Sequence, residues 1–263
     1  MYEKNRRPAR PAAAAPAEET EGQLEGRNAL QEALRSGRTV DKVFIAAGEI
    51  DRGLQRLAAE AKEAGAVVVP VDRRKLDAMS FTHAHQGVIA LAAAHVYYSI
   101  DDILEEAASR GEAPLIVICD ELSDPHNLGA ILRSAECAGA HGVIIPKRRS
   151  VGLTATVAKA SAGAVEYMKV ARVTNISAAI AELKQKGVWV FGTAAEGSIP
   201  MYQADLSGPA AIVIGSEGDG MSQLVRKNCD VMVNIPMKGR ISSLNASAAA
   251  SILLYEALRQ RLG

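Results

Sequence analysis

Short aliphatic runs recur along this chain, and the stretches between them carry apolar residues at helical spacing. LIVIC from Leu115, GVIIP from Gly142, VWVFG from Val188, a run from Ala210 and VMVNIP from Val231 are apolar at almost every position. Such runs predict strands buried on both faces rather than strands with one wet side. A further strand is predicted near 167–170. Helices are predicted over 101–110, 128–138, 154–162, 176–186 and 246–261. Strands of this kind alternating with amphipathic helices predict a parallel sheet covered on both sides. Ligands of such sheets sit in loops beyond the carboxyl ends of the strands. That rule points to the loops after Cys119, Gly192, Gly215 and Pro236.

The segment before this sheet is smaller and follows its own rhythm. A short helix over 28–34 precedes a strand from Lys42 and a helix over 54–64 with Leu54, Leu57 and Ala61 on one face. A strand VVVPV from Val67, a helical turn over 73–79 and a strand from Gly87 complete a small α/β sandwich. The opening MYEKNRRPARPAAAAPAEETE has no periodic apolar face and reads as a disordered tail. The chain therefore divides into a tail (1–21), a small unit (22–94), a linker (95–100) and a larger α/β unit (101–263).

Composition alters this picture in three ways. The chain is 48% hydrophobic but only 4% aromatic, so its cores are aliphatic. Its formal net charge is zero, which excludes a protein that coats nucleic acid by charge alone and confines any nucleic-acid contact to local basic runs. Cys119, Cys137 and Cys229 are odd in number and widely spaced, so they read as small buried hydrophobes rather than as disulfides or metal ligands. No signal peptide and no apolar run of membrane-spanning length is visible, which predicts a cytoplasmic protein without membrane contact.

Three of the loops carry unusual residues. DELSDPHNLGAILRSAE, 120–136, holds a turn at Asp124-Pro125, Asn127 as a helix cap, and Arg133 six residues further on. GSEGDGMS, 215–222, is a glycine-rich turn whose backbone can approach a ligand, although Glu217 argues against a phosphate cradle. Neither a P-loop nor the dinucleotide-binding GxGxxG is present. IPMKGRISSLNASAAASILLYEA, 235–257, runs from a strand end through a basic loop with Lys238 and Arg240 into Ser242-Ser243-Leu244-Asn245 and the last helix. Each loop alone is ambiguous between capping and chemistry.

Together and in this order, DPHNLGAILRSAE, IGSEGDGMS and IPMKGRISSLNASAA resemble the three ordered motifs of the SpoU (TrmH-like) family of RNA ribose 2′-O-methyltransferases. The preceding GRNALQEAL and HQGVIAL resemble the small RNA-binding domain carried by many members. The two-unit layout most resembles members that methylate a guanosine of 23S ribosomal RNA.

The resemblance implies an α/β trefoil knot whose loops bind S-adenosylmethionine. It assigns Thr193, Ala194, Gly215, Ile235 and Leu244 to the adenosine, largely through backbone groups. It assigns Arg133 the critical role, with Asn127, Glu217, Ser243 and Asn245 around it, and it requires no metal. Arginine stays protonated, so Arg133 suits a clamp on RNA phosphate and a stabiliser of the forming alkoxide better than a literal base. RNA, rather than DNA, is the implied partner. Candidate contacts are Lys147-Arg148-Arg149, Lys238 and Arg240, and in the small unit Arg73-Arg74-Lys75. The resemblance also implies a homodimer through the knot and the last helix, with the active site completed near the interface. A transfer RNA ribose as substrate and a non-catalytic RNA-binding protein of the same fold are the competing readings.

Overall fold

A computed structural model of the 263-residue chain describes residues 22–48, 51–194, 198–216, 218 and 220–263. The small unit comprises β1 (Gln23–Glu25), α1 (Arg27–Arg35), β2 (Val40–Ala46), α2 (Arg52–Glu63), β3 (Val67–Val71), α3 (Arg73–Met79) and β4 (Val88–Ala92). Its sheet has the order β1-β4-β2-β3, with β4 antiparallel to β1 and β2, and β3 parallel to β2. Leu30, Leu54, Leu57 and Ala61 of α1 and α2 pack on Val43, Ile45 and Ala90. On the other face Leu76 of α3 covers Val71 and Ile89. Strand alternation thus feeds two thin cores, one per face.

The larger unit comprises α4 (Ile100–Arg110), β5 (Leu115–Cys119), α5 (Pro125–Cys137), β6 (Gly142–Pro146), α6 (Ala155–Ala160), β7 (Lys169–Val173), α7 (Ile176–Gln185), β8 (Trp189–Thr193), β9 (Ile199–Pro200), β10 (Ala210–Ile214), α8 (Gln223–Asn228), β11 (Val231–Asn234) and α9 (Ala246–Leu262). Its strands pair in parallel in the order β7-β6-β5-β10-β8-β11-β9. Strands β5, β6 and β10 are buried at every position. Alternate residues serve opposite faces. Val117, Val143 and Ile212 pack under α5 and α9 with Leu128, Leu132, Leu253 and Leu254. Ile116, Ile144 and Val213 pack against Ile103 of α4 and Ile180 and Leu183 of α7. Burial on both faces is why these runs are continuously apolar.

The predicted strands and helices form, with shifts of a few residues at their ends. Among the described residues the structure adds two strands and one α-helix: β1, which exists by pairing with β4; β9, two residues beside β11; and α8, six residues capped by Ser222. No helix among the described residues is long and apolar enough to cross a membrane. The cysteine expectation is partly corrected: Cys119 is buried, but Cys229 is half-buried and Cys137 is exposed on α5. Burial, and then the neighbouring Asp120, push the Cys119 thiol up to about 12, so it is neutral at physiological pH.

Candidate active site

The carboxyl ends of β10, β8 and β11 open into two adjoining cavities of about 450 and 550 Å³. Both are lined by Thr193, Ala194, Ser242, Ser243, Leu244 and Ala249. Gly215 and Met221 complete one, Ile235 and Leu253 the other. The five residues expected around an adenosine therefore all line these two adjoining cavities, although they come from three separate loops.

Backbone closure shapes the glycine side of this space. Ser216 and Gly220 exchange amide–carbonyl hydrogen bonds of 3.0 and 3.1 Å, folding the turn back on itself. A Cβ on Gly215 would stand 2.3 Å from the backbone of Gly220 and Met221, so no side chain fits there. The sequence-predicted Glu217, and Asp219 beside it, lie outside the described residues. Thr193 donates its hydroxyl to Val213 O at 2.9 Å. The Ala194 amide donates to Val233 O, and its carbonyl accepts from Ser198. Ala194 therefore offers a small apolar wall rather than free backbone groups. Residues 235–245 form no helix or strand, so their amides and carbonyls are not consumed by a ladder. Among the described lining residues the charged ones are Arg226 and Arg240.

The entry to α5 corrects one expectation. Asp124, not Asn127, caps the helix: its side chain accepts from the His126 amide, with Pro125 at the first position. Asn127 is buried, and its Oδ1 accepts from Asn245 Nδ2 at 2.9 Å. Asn245 in turn caps α9, accepting from the amides of Ser247 and Ala248. The two asparagines thus join the starts of α5 and α9, and Ser134 Oγ and Ser251 Oγ meet at 2.7 Å further along.

Arg133 stands apart from this pair. Six residues on is a rotation of about 240° around a helix, which carries Arg133 from the buried to the exposed face of α5. It lines neither cavity and makes no ion pair among the described residues. Of the candidate catalytic residues, Ser243 reaches the cavities, and Asn127 and Asn245 brace the helices behind them.

The basic candidates scatter. Arg240 faces a cavity while Lys238 is exposed on the same loop. Arg148 and Arg149 line a separate hollow beyond the ends of β5, β6 and β7, where Arg149 pairs with Glu121 at 2.7 Å. A Cβ on Gly65 would lie 3.2 Å from Lys147 Nζ, so Lys147 rests against the small unit. In α3, Lys75 Nζ lies 5.9 Å from the Phe44 ring centroid, and Arg73 borders a hollow with Arg27; Arg74 is exposed. Sequence reasoning passed over Asp120, whose carboxylate accepts from the Ser222 amide at 2.8 Å and ties the end of β5 to the foot of the glycine turn. An acidic residue directly after LIVIC was the available signal.

Comparison with known proteins agrees across both units. Residues 114–255 match the SpoU rRNA Methylase family, and residues 23–98 match the RNA 2′-O ribose methyltransferase substrate-binding family. The chain is 48% identical to a Bacillus subtilis protein assigned to the TrmH family of tRNA/rRNA methyltransferases, over 90% of this chain and 94% of that one. It is 44% identical to the 23S rRNA (guanosine-2′-O-)-methyltransferase of Ralstonia nicotianae, over 90% of this chain and 95% of that one. Among solved structures, the SpoU methyltransferase AviRb of Streptomyces viridochromogenes with its cofactor AdoMet superposes with TM-score 0.59 at 26% identity, covering 91% and 90% of the two chains.

Proposed function

The chain belongs to the SpoU family of S-adenosylmethionine-dependent RNA ribose 2′-O-methyltransferases, and from that premise we propose that its substrate is a guanosine of 23S ribosomal RNA. The observation that carries this reading is the match of both units, along nearly the whole length, to a relative named for that reaction. The small unit (22–94) then holds the RNA and the unit from 101 onward carries the chemistry, with 95–100 between them.

The cavities fit the cofactor. Ile235, Leu244 and Leu253 give an apolar wall for a flat base, the irregular backbone of 235–245 can hydrogen-bond its edge, and the bare Gly215 admits close approach. When bound, S-adenosylmethionine supplies the electrophilic methyl group. The chain must place the ribose hydroxyl in line and offset the negative charge that grows on its oxygen. Arg133, exposed and without an ion pair among the described residues, holds the RNA phosphate and stabilises that charge. Ser243 fixes ribose or cofactor by hydrogen bonding, and Asn127 with Asn245 keeps α5 and α9 in register behind it.

Because Arg133 lines neither cavity of its own chain, the reading includes a homodimer in which Arg133 of one protomer serves the cavity of its partner. The exposed flanks of α5 and α9, including Tyr255, supply the interface. RNA contacts come from Arg73, Arg74, Lys238 and Arg240, with Arg148 and Arg149 beside the site, and the enzyme works in the cytoplasm. The test uses methyl-labelled S-adenosylmethionine with separate pools of unmodified 23S RNA, 16S RNA and tRNA, followed by digestion to nucleosides. The reading predicts 2′-O-methylguanosine in 23S RNA. Label confined to tRNA would overturn the substrate and keep the chemistry.

A further inference from the structure

The pairing of β2 with β4 slips by one residue at Asp41: Val40 faces Ala92 while Lys42 faces Leu91. Asp41 is the extra residue of a β-bulge, a device that breaks the ladder and re-aims a side chain. The bulge turns Asp41 out of the small sheet and into the larger unit. There Arg172, on the edge strand β7, donates from Nη1 to Asp41 Oδ1 at 2.5 Å and from Nη2 to the Asp41 carbonyl oxygen at 2.9 Å. The guanidinium thus takes up both a carboxylate oxygen and a carbonyl in the bulge.

The remaining carboxylate oxygen is also engaged from outside the small unit. Tyr97 donates its hydroxyl to Asp41 Oδ2 at 3.1 Å and accepts from the Leu153 amide at 2.8 Å. The Arg172 guanidinium sits 5.3 Å from the centroid of the Tyr97 ring. A Cβ on Gly152 would lie 2.4 Å from Asp41 Oδ2 and 2.8 Å from the Tyr97 hydroxyl, so a glycine is required where the loop after β6 closes over the node. The side chains of Asp41 and Arg172 are only 10% and 7% exposed. Backbone bonds run alongside: the Ala94 amide donates to Leu153 O, and the Tyr98 amide donates to Val170 O.

A buried ion pair is weak evidence for stability, because desolvation offsets most of its attraction. What it enforces is a single arrangement, since a displaced partner leaves a buried charge uncompensated. Burial pushes the Asp41 carboxyl above its ordinary range despite Arg172, so Asp41 has little margin for losing that partner. We infer that Asp41, Arg172 and Tyr97 form a latch that holds the RNA-binding unit in one fixed pose on the catalytic sheet, making them positioning residues for the RNA. The inference rests on the reading that the small unit binds RNA. A fixed pose presents the RNA to the cavities at a set span, so loosening it weakens productive binding of RNA while leaving the cofactor cavity untouched.

Two measurements on the full chain separate the latch from that reading. Spin labels at Ala59→Cys in α2 and Ala108→Cys in α4, in a Cys137→Ala background diluted with unlabelled protein, report the distance between units by pulsed electron resonance. The latch predicts one narrow distance peak without RNA, broadened in Asp41→Asn and in Arg172→Gln. A broad distribution in the parent protein, or a narrow one in both variants, overturns it. In methylation assays each variant is expected to raise the KM for RNA about tenfold or more, with kcat and cofactor affinity within about twofold. The double variant should be no worse than either single one, as for residues acting as a unit. If Asp41→Asn fails to fold, Arg172→Lys keeps the charge but loses the two-pronged donor and gives the same comparison. Should the distances behave as expected while Arg73→Glu with Arg74→Glu leaves the RNA KM unchanged, the latch stands and the RNA-binding reading of the small unit falls.

Discussion

The cavities beyond β8, β10 and β11 and the Arg133 face of α5 flank the same sheet, yet they are built from opposite materials. The cavity is made of small and aliphatic residues, a turn with no room for a side chain at Gly215, and an irregular loop that belongs to no helix or strand. It can hold a nucleoside. The α5 face offers one exposed guanidinium that has no ion-pair partner among the described residues. It can hold an anion and encloses nothing. Each region lacks what the other supplies, and the helix rotation between Asn127 and Arg133 keeps them apart within one chain. In the proposed reading the reaction needs both, and binding and charge handling are then separable by mutation.

The largest effect should come from the charged side. Arg133→Ala is expected to lower methyl transfer about 10²–10³-fold, the scale of losing one stabiliser of a developing oxyanion, while cofactor affinity by calorimetry stays at the parent value. A parallel loss of cofactor affinity would show that the two regions are not separate. From the cavity side, Gly215→Ala forces a Cβ into the backbone at Gly220 and Met221. It should weaken S-adenosylmethionine binding by roughly tenfold or more, the equivalent of a modest overpacking penalty.

A smaller effect belongs to the brace behind both regions. Asn245→Ala removes the α9 cap and the hydrogen bond to Asn127. A cap is worth ~1–2 kcal/mol, so a Tm fall of roughly 3–6 °C is expected, read by calorimetry. A Tm unchanged in this variant would mean that the helix starts are held elsewhere.

The smallest effect should touch neither region. Partial burial of Glu25 tends to raise its pKa, but hydrogen bonds from Thr82, the Phe81 amide, Ser80 and Gln23 outweigh this and hold it at about 2 against an ordinary 4.5. An acid whose folded pKa is depressed adds stability above its unfolded pKa and loses it as pH falls towards the folded one. The small unit should therefore lose stability as pH drops from 4.5 towards 2. Glu25→Gln should be less stable at neutral pH and flatter across that window in denaturant titrations.

What could be read in advance follows from the range of the forces involved. β5, β6 and β10 are apolar at every position because both of their faces are covered, and that condition is written locally in the residues. β1 depends on β4, more than sixty residues away, and its three residues Gln23, Leu24 and Glu25 carry no alternation long enough to register. α8 spans six residues after a glycine turn, too few for a helical period. Asn127 read as a cap because asparagine commonly caps helices, yet Asp124-Pro125 satisfies that end first and frees Asn127 to face Asn245. The Asp41 latch was invisible for a related reason: its meaning lies in a bulge and in a strand 131 positions away.

Whether the two opposed regions make one site is tested most directly by subunit exchange. Arg133→Ala and Gly215→Ala, each strongly impaired alone when S-adenosylmethionine is kept below its parental Kd, would be mixed, allowed to exchange protomers, and assayed for methyl transfer to RNA. If Arg133 serves the partner's cavity, each mixed dimer carries one intact site, and roughly a quarter of parental activity should return through random pairing of the two chains. A mixture as inactive as its components, with exchange confirmed, would place both regions in the service of a single chain and contradict the account.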